Sequence, residues 1–363
     1  MKGNGSAKPQ RILVVADSAI PVPPQGYGGT ERVLGYLLKG LAERGYQTTL
    51  MGARGSQPPG RLVTFSDARS ASKPARGLAK ANFWARLVRE LPRHDLLHSA
   101  ARLDYVMPAL RYPIPKVLKF QNPITAEQLD FIERHARGPT VLVGCGVRMI
   151  ESFKTRGLWR PIHNAIESDR FQYQPTPSRP PYLAFLGRLT PNKGAHTAIN
   201  VAREVGIKLV IGGNIGNASG DREYYESRIA PHIDQTTVEY IGEVDDAGKE
   251  RLLGGAMALL NPIEWDEPFG NVNIEAFACG TPSIAFARGE MPVVIRHGVT
   301  GFLCRDQAEM IEAVRNIKTI SREACRREAV ERFDVTRMVD KFEEVYRWLW
   351  AGERVVPAHW AEP

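Results

Sequence analysis

Short apolar runs alternate with amphipathic stretches along this chain, and the alternation starts over once. RILVVA (11–16) is followed by a Pro/Gly loop, PVPPQGYGGT, and then by ERVLGYLLKGLAE (31–43), which has helical periodicity. Gly45 stands where a helix stop belongs, and YQTTLMG is the next strand. This is β-loop-α-β, the unit of a parallel sheet. RLVTF, DLLH, KVLKF and TVLVG continue it to about residue 170. QYQPTPSRPP (172–181) is Pro-rich and polar, as a linker would be. The pattern then resumes with YLAFLG, TAINVAREVG, KLVIGG, VEYIG, MALLNP and PSIAFA, with helices expected near 222–230 and 247–254. The expectation is two successive doubly wound α/β domains, closed by an amphipathic helix over 335–350. A length of 363 residues agrees with two domains.

Other classes are set aside quickly. Cys145, Cys279, Cys304 and Cys325 are far apart and form no CxxC pair, which argues against a disulfide framework or a structural zinc site. No run of 18 apolar residues is present. The first ten residues are polar and lead straight into a strand, so the expected location is cytoplasmic. Charge is uneven. Residues 1–176 carry 26 Lys/Arg against 13 Asp/Glu and the remainder 22 against 27, so a net of +8 hides a basic half and an acidic half. A basic face concentrates anions: phosphorylated substrates, anionic membranes or nucleic acid.

In open α/β sheets ligands bind beyond the carboxyl ends of the strands, so the loops there hold the candidate chemistry. Gly26–Thr30 opens a helix with Gly28 and Gly29, which let backbone amides approach an anion; it is equally a structural turn. It is neither GxGxxG nor a Walker loop. Gly187–Gly194 (GRLTPNKG) places Arg188 and Lys193 in one post-strand loop, two cations able to neutralise a diphosphate, or else a solvated basic turn. In EPFGNVNIEAFACGTP (267–282) a turn at Pro268 and Gly270 starts a helix near Asn271 that stops at Gly280, with Glu267 before it and Glu275 inside it. Amides at the helix start suit a phosphate and the carboxylates suit hydroxyls, so the set fits a nucleotide sugar. Each Glu alone is as well explained by the helix dipole.

With YGGTERV, IHNAIESDRF (162–171), FLGRLTPNKG, EPFGNVNIEAFACGTP and HGVTGFL (297–303) in order, the chain resembles family 4 of the retaining glycosyltransferases, with its Glu-x7-Glu motif. The resemblance implies the GT-B fold: two Rossmann-like domains with parallel sheets, an interdomain cleft and a C-terminal crossover helix. It implies an acceptor-binding domain over 1–172, a nucleotide-sugar domain over 173–334, and a helix and tail over 335–363 returning to the first. The implied reaction moves a sugar from a nucleoside diphosphate sugar (UDP-sugar first, GDP-mannose next) to a hydroxyl of a saccharide, lipid or small molecule. Arg188 and Lys193 would contact the diphosphate and Glu267 the sugar hydroxyls. Gly270 and Asn271, with Phe269 and Val272 beside them, would present amides, and Glu275 would hold the ribose diol. Gly242, Glu243 and Val244 would face the base, and Gly28 and Gly29 the phosphates.

Two departures stand out. Members of the family often carry a His after a strand like VLKF, where this chain has Gln121–Asn122. Gln121 and Asn122 are therefore candidates for the acceptor side, with His98 as a second candidate unless it is only a satisfied strand-end histidine. The Pro-Glu that often follows the Gly-rich turn is Pro292–Val293 here, with Glu290 nearby. No Asp/His set is spaced for a divalent ion, Asp245–Asp246 reading as solvated loop acids, so neither metal nor cofactor is expected. Residues 73–93 mix six Lys/Arg with Phe83, Trp84, Leu87, Val88 and Leu91. That composition fits either a helix packed on the sheet or a basic amphipathic surface for peripheral association with the inner membrane face. The competing functions are an NAD-dependent sugar-nucleotide epimerase or dehydrogenase, which would need GxGxxG after the first strand, and a non-catalytic nucleotide-sugar-binding protein. Nucleic-acid binding lacks any module motif.

Overall fold

The computed structural model describes residues 10–17, 20–24, 26, 28–65 and 73–361. They form two compact units, residues 1–163 with 338–363, and residues 164–337. Strands β1 (Arg11–Val15), β2 (Gln47–Ala53), β3 (Arg61–Phe65), β4 (Leu96–Ser99), β5 (Lys116–Phe120), β6 (Thr140–Gly144) and β7 (Trp159–Pro161) make the first sheet. Its order is β3-β2-β1-β4-β5-β6-β7, all parallel. The second sheet contains β8 (Tyr182–Leu186), β9 (Lys208–Gly212), β10 (Val238–Tyr240), β11 (Ala258–Asn261), β12 (Ser283–Phe286) and β13 (Gly301–Cys304). It is also parallel throughout, in the order β10-β9-β8-β11-β12-β13. In each sheet the order reverses beside the unit's first strand, which is the expected doubly wound pattern.

Helices cover these sheets: α1 (Gly29–Glu43), α2 (Lys73–Glu90), α3 (Leu103–Leu110) and α4 (Ala126–His135) in the first unit, and α5 (Ala195–Val205), α6 (Asp221–Tyr224), α7 (Asp246–Gly255), α8 (Asn271–Ala278), α9 (Met291–Val294), α10 (Gln307–Arg315) and α11 (Arg322–Phe333) in the second. The last helix, α12 (Val335–Ala351), begins in the second unit and continues in the first. The local reasons match the sequence. Helix α1 buries Val33, Leu34, Leu37, Leu38 and Leu41 on one face. It stops at Gly45, whose φ of +83° lets its amide reach the Ala42 carbonyl while Tyr46 reaches that of Leu41. The strand interiors, such as Ile12, Leu13, Val14 and Val15, are fully buried, as both faces of a covered parallel sheet require.

The division falls at 163/164, ahead of the expected 172/173. Residues 164–171 are fastened to the second unit. The Ile166 amide donates to the Phe333 carbonyl, Ser168 Oγ donates to Asp334, and Arg326 donates to the carbonyls of Ser168, Phe171 and Ala278. The Pro-rich segment 172–181 lies inside that unit too, held by Gln174 and Ser178 amides on the Cys279 and Gly255 carbonyls. The return to the first unit begins at Met338, three residues into α12. Among the described residues, no helix is long and apolar enough to cross a membrane.

Candidate functional site

In the second unit the loop after β8 is laid against the loop after β11. The Leu189 amide donates to Asn214, and a short 3-10 turn over Pro191–Lys193 ends at Gly194 with φ +75°. A Cβ at Gly194 would stand 2.0 Å from the Pro262 carbonyl oxygen, so glycine alone permits this approach. The Glu264 amide closes the contact on the Asn192 carbonyl. Lys193 is thereby delivered to Glu267, with Nζ 2.6 Å from Oε2. Trp265 Nε1 donates to the same oxygen at 2.8 Å, and its ring lies 5.8 Å from the ammonium. Arg188, exposed, sits on the same loop.

Helix α8 opens at Gly270, whose φ is +82°. A Cβ there would come within 2.6 Å of Met291 Cε and 2.8 Å of Asn273 Nδ2. Buried Asn273 donates to the Gly270 carbonyl, and Asn164 Nδ2 donates to Asn271 Oδ1. Phe269 is buried edge-on against Phe333, and Val272 is half-buried. One turn into the helix, Glu275 accepts from Lys249 Nζ at 2.7 Å, with both side chains largely buried. The helix ends as expected. Gly280 has φ +85°, and the Gly280 and Thr281 amides return to Phe277 and Ala276. The Glu290 amide donates to the Glu267 carbonyl, which ties α9 to the same turn.

Gly242, with φ +74°, accepts from the Gly213 amide and leads to exposed Glu243 and half-buried Val244. Asp245 is not a merely solvated acid, because its carboxylate caps α7 by accepting from the Gly248 amide at 2.7 Å. Among the described residues, no group of three or more His, Cys, Asp or Glu side chains is placed to hold a metal ion.

In the first unit, Gly28 precedes α1 with φ +153°, and a Cβ would meet Pro24 at 2.8 Å. Gly29 is the exposed first residue of the helix, while Tyr27 of the same loop lies outside the described residues. Gln121 is half-buried and Asn122 exposed just after β5. His98 requires a correction, since it is not presented to any ligand. It is wholly buried in β4, its Nδ1 lies 2.6 Å from Tyr346 Oη, and its ring lies 4.9 Å from that of Phe342. Strand alternation turns it toward α12. Desolvation, with Lys119 nearby, pushes its pKa down to about 3. The structure also supplies partners that spacing could not reveal. Lys249 and Met291 come from other helices, and only tertiary folding sets them beside Glu275 and Gly270, whereas Trp265 stands two residues before Glu267 in the same loop.

Two family models match the chain, Glycosyltransferase Family 4 over residues 27–199 and Glycosyl transferases group 1 over 167–333. The glycogen synthase of Mycobacterium tuberculosis is 29% identical over 208 residues, 53% of this chain and 49% of that protein. The chain spans about half the length of the curated relatives it matches. Among solved structures, sucrose-phosphate synthase from Thermosynechococcus elongatus superposes with a TM-score of 0.78 at 17% identity, over 95% of this chain and 100% of that one. Anabaena HepE, solved with UDP and glucose, superposes at 0.72 and 17%, over 93% and 99%. With both models matched in order and two parallel-sheet units of the GT-B kind, the chain belongs to the family-4 glycosyltransferases.

Proposed function

We propose that this protein transfers a glycosyl group, with retention of configuration, from a nucleoside diphosphate sugar to an acceptor hydroxyl. The observation that carries the reading is the union of two loops in the second unit, where Lys193 meets Glu267 at 2.6 Å just ahead of a helix that holds Glu275. In this reading Arg188 and Lys193 face the diphosphate, and the positive end of α8 adds to their field. As the sugar–oxygen bond breaks, negative charge grows on the leaving phosphate, and fixed cations stabilise that charge without a metal. Glu267, oriented by Lys193 and Trp265, accepts from hydroxyls of the sugar. Glu275 accepts from the ribose diol, with Lys249 compensating its charge. No carboxylate is assigned as nucleophile, so the acceptor attacks from the face that the phosphate leaves. The HepE structure with UDP and glucose makes UDP-sugars the first donors to test, ahead of GDP-mannose. The acceptor classes are a glycan, a glycolipid or a small molecule.

Two measurements test this. Melting of the full chain with UDP, GDP, ADP or NAD, in chelator, should rise with UDP or GDP; a rise with NAD alone overturns the reading. Hydrolysis of a nucleotide-sugar panel should then single out a donor, and Lys193→Ala should lower its turnover by about 10²–10³-fold, the loss typical of removing one preorganised group that stabilises developing charge.

A further inference from the structure

The amino ends of the first four strands of the first sheet border a cavity of about 680 Å³. Arg11 opens β1, Gln47 opens β2 and Arg61 opens β3, while His94 stands two residues ahead of β4; all four line the cavity, together with Arg93. This is the opposite end of the sheet from Gly28 and Gln121, which follow the carboxyl ends of β1 and β5. Three guanidiniums and an imidazole thus line one cavity, and no Asp or Glu is among the described residues around it. Their acids stand behind them. Arg61 and Arg93 share Glu90, whose side chain is 7% exposed against 50% and 59% for the two cations, and Arg11 pairs with Asp95. Three cations against two acids leave one positive charge there. The ion pairs also leave donors to spare, because a guanidinium has five N–H groups: Arg93 commits Nη1 to Glu90, and Arg11 commits Nε and Nη2 to Asp95. The carbonyls of Leu41 and Ala42 at the end of α1, which would repel an anion, are taken by the amides of Arg44, Gly45 and Tyr46. His94 is itself buried. Desolvation, with Arg61 and Arg11 nearby, holds its pKa below the ordinary value, so the neutral ring donates from Nδ1 to the Glu90 carbonyl at 2.8 Å and keeps Nε2 as an acceptor.

We propose that this cavity binds a phosphorylated polyol, its phosphate held by Arg11, Arg61 and Arg93 and its hydroxyls by His94 and Gln47. The charge selects an anion, and the planar fork of arginine selects phosphate. The volume selects something larger than phosphate alone, since it lies within the range of about 300–1,000 Å³ typical of small-molecule sites. The lining disfavours an apolar ligand, because no Leu, Ile, Val, Met, Phe or Trp is among the described residues around it. Hydroxyls, which both donate and accept, suit the Nε2 acceptor of His94 and the exposed amide of Gln47. The inference concerns the first unit and is independent of the donor chemistry proposed for the second.

The test is titration calorimetry of the full chain at low salt with sorbitol 6-phosphate, inorganic phosphate and sorbitol. Sorbitol 6-phosphate should bind most tightly, inorganic phosphate about tenfold more weakly, and sorbitol not detectably. Binding should weaken as salt rises. Arg93→Gln should lower the affinity for sorbitol 6-phosphate by about tenfold or more, the worth of a hydrogen bond between charged groups, while Glu90 keeps Arg61 as its partner. Gln47→Glu, at an exposed position outside the ion pairs, should lower it as well by repelling the phosphate. Unchanged thermal melting of both variants establishes that they fold. Lys193→Ala, in the second unit, should bind sorbitol 6-phosphate as wild type does. Absence of binding overturns the proposal, as does binding that ignores both first-unit substitutions or equal affinity for inorganic phosphate. So does loss of binding in Lys193→Ala, which would place the phosphate on the loops of the second unit.

Discussion

Glu275 and Lys249 form an ion pair that is almost out of water, and such pairs respond asymmetrically to loss of one member. Glu275→Ala removes the group assigned to the ribose diol and also strands a largely buried ammonium. Two effects are expected and they separate. Affinity for UDP, measured by calorimetry, should fall by about tenfold or more, the worth of hydrogen bonds to a charged acceptor. Stability should fall as well, by about 3–5 kcal/mol on the scale of a broken buried pair. Adding Lys249→Met to Glu275→Ala should restore stability and leave the affinity low. If UDP binds both variants as it binds wild type, the ribose assignment is wrong. Lys193 and Glu267 differ, since their separation of 2.6 Å is set by two glycine-permitted approaches: Gly194 against Pro262, and Gly289 against Glu267, where a Cβ would lie 2.4 Å from the Glu267 backbone. Such positions hold a side chain in place by excluding alternatives rather than by attraction.

At the scale of elements, strand β4 is joined to α12 by one polar contact in an apolar layer, His98 with Tyr346, beside Phe342 and the buried Lys119. Nε2 of His98 has no partner among the described residues. The folded pKa of about 3 lies below the value of about 6.5 for an unfolded histidine. Between those values the unfolded chain binds more protons than the folded one, so stability falls as pH drops through that window, by up to about 5 kcal/mol. His98→Phe should remove this acid limb in urea unfolding followed from pH 7 to pH 4. It should also cost about 1–2 kcal/mol at neutral pH, because the Tyr346 hydroxyl loses its partner. Parallel acid limbs for the two proteins would remove His98 as the titrating group. The same layer shows what could be read from sequence. RILVV and TVLVG announce themselves because a strand covered on both faces is nearly apolar throughout, whereas KVLKF keeps that burial while holding Lys116 and Lys119. Trp159–Pro161 and Gly301–Cys304 are strands of three and four residues whose identity depends on the neighbour they pair with. Helix α3 contains Pro108, and α11 is charged along its length, yet its Arg322 is drawn inward to the carbonyls of Gln174, Gly254 and Ala256. The loops of the candidate site were legible because turn, cation and acid lie within a few residues of one another. Lys249 was not, since pairing across a fold leaves no local spacing.

At the scale of the molecule, the first unit is discontinuous: residues 338–363 complete a core that begins near residue 10. Met338, Val339, Phe342, Val345, Tyr346 and Leu349 of α12 are buried there. Val339 packs so closely on α1 that a Cβ at Gly40 would lie 2.5 Å from it. Beyond the helix, Trp360 is buried against Trp348 and the guanidinium of Arg160, whose Nη1 also donates to the His359 carbonyl. Arg44 and Tyr46 meet Glu343 from the other side of the sequence. Burying one large apolar side chain contributes about 1.5–3 kcal/mol, and an entire domain is stable by only about 5–15 kcal/mol, so the eight buried apolar side chains lost with this segment are worth as much as the whole margin or more. The second unit is closed differently, by Arg322 and Arg326 on carbonyls of residues 168–174, and has its own buried cluster around Leu253, Leu259 and Ala276. A chain ending at Arg337 should therefore lose the first unit and keep the second. Limited proteolysis should cut within residues 10–163 and leave 164–337 protected, and hydrogen exchange should show the same division. Protection of β1, β4 and β5 in the shortened chain would mean that their sheet stands without α12, and that the return of the chain serves something other than the core.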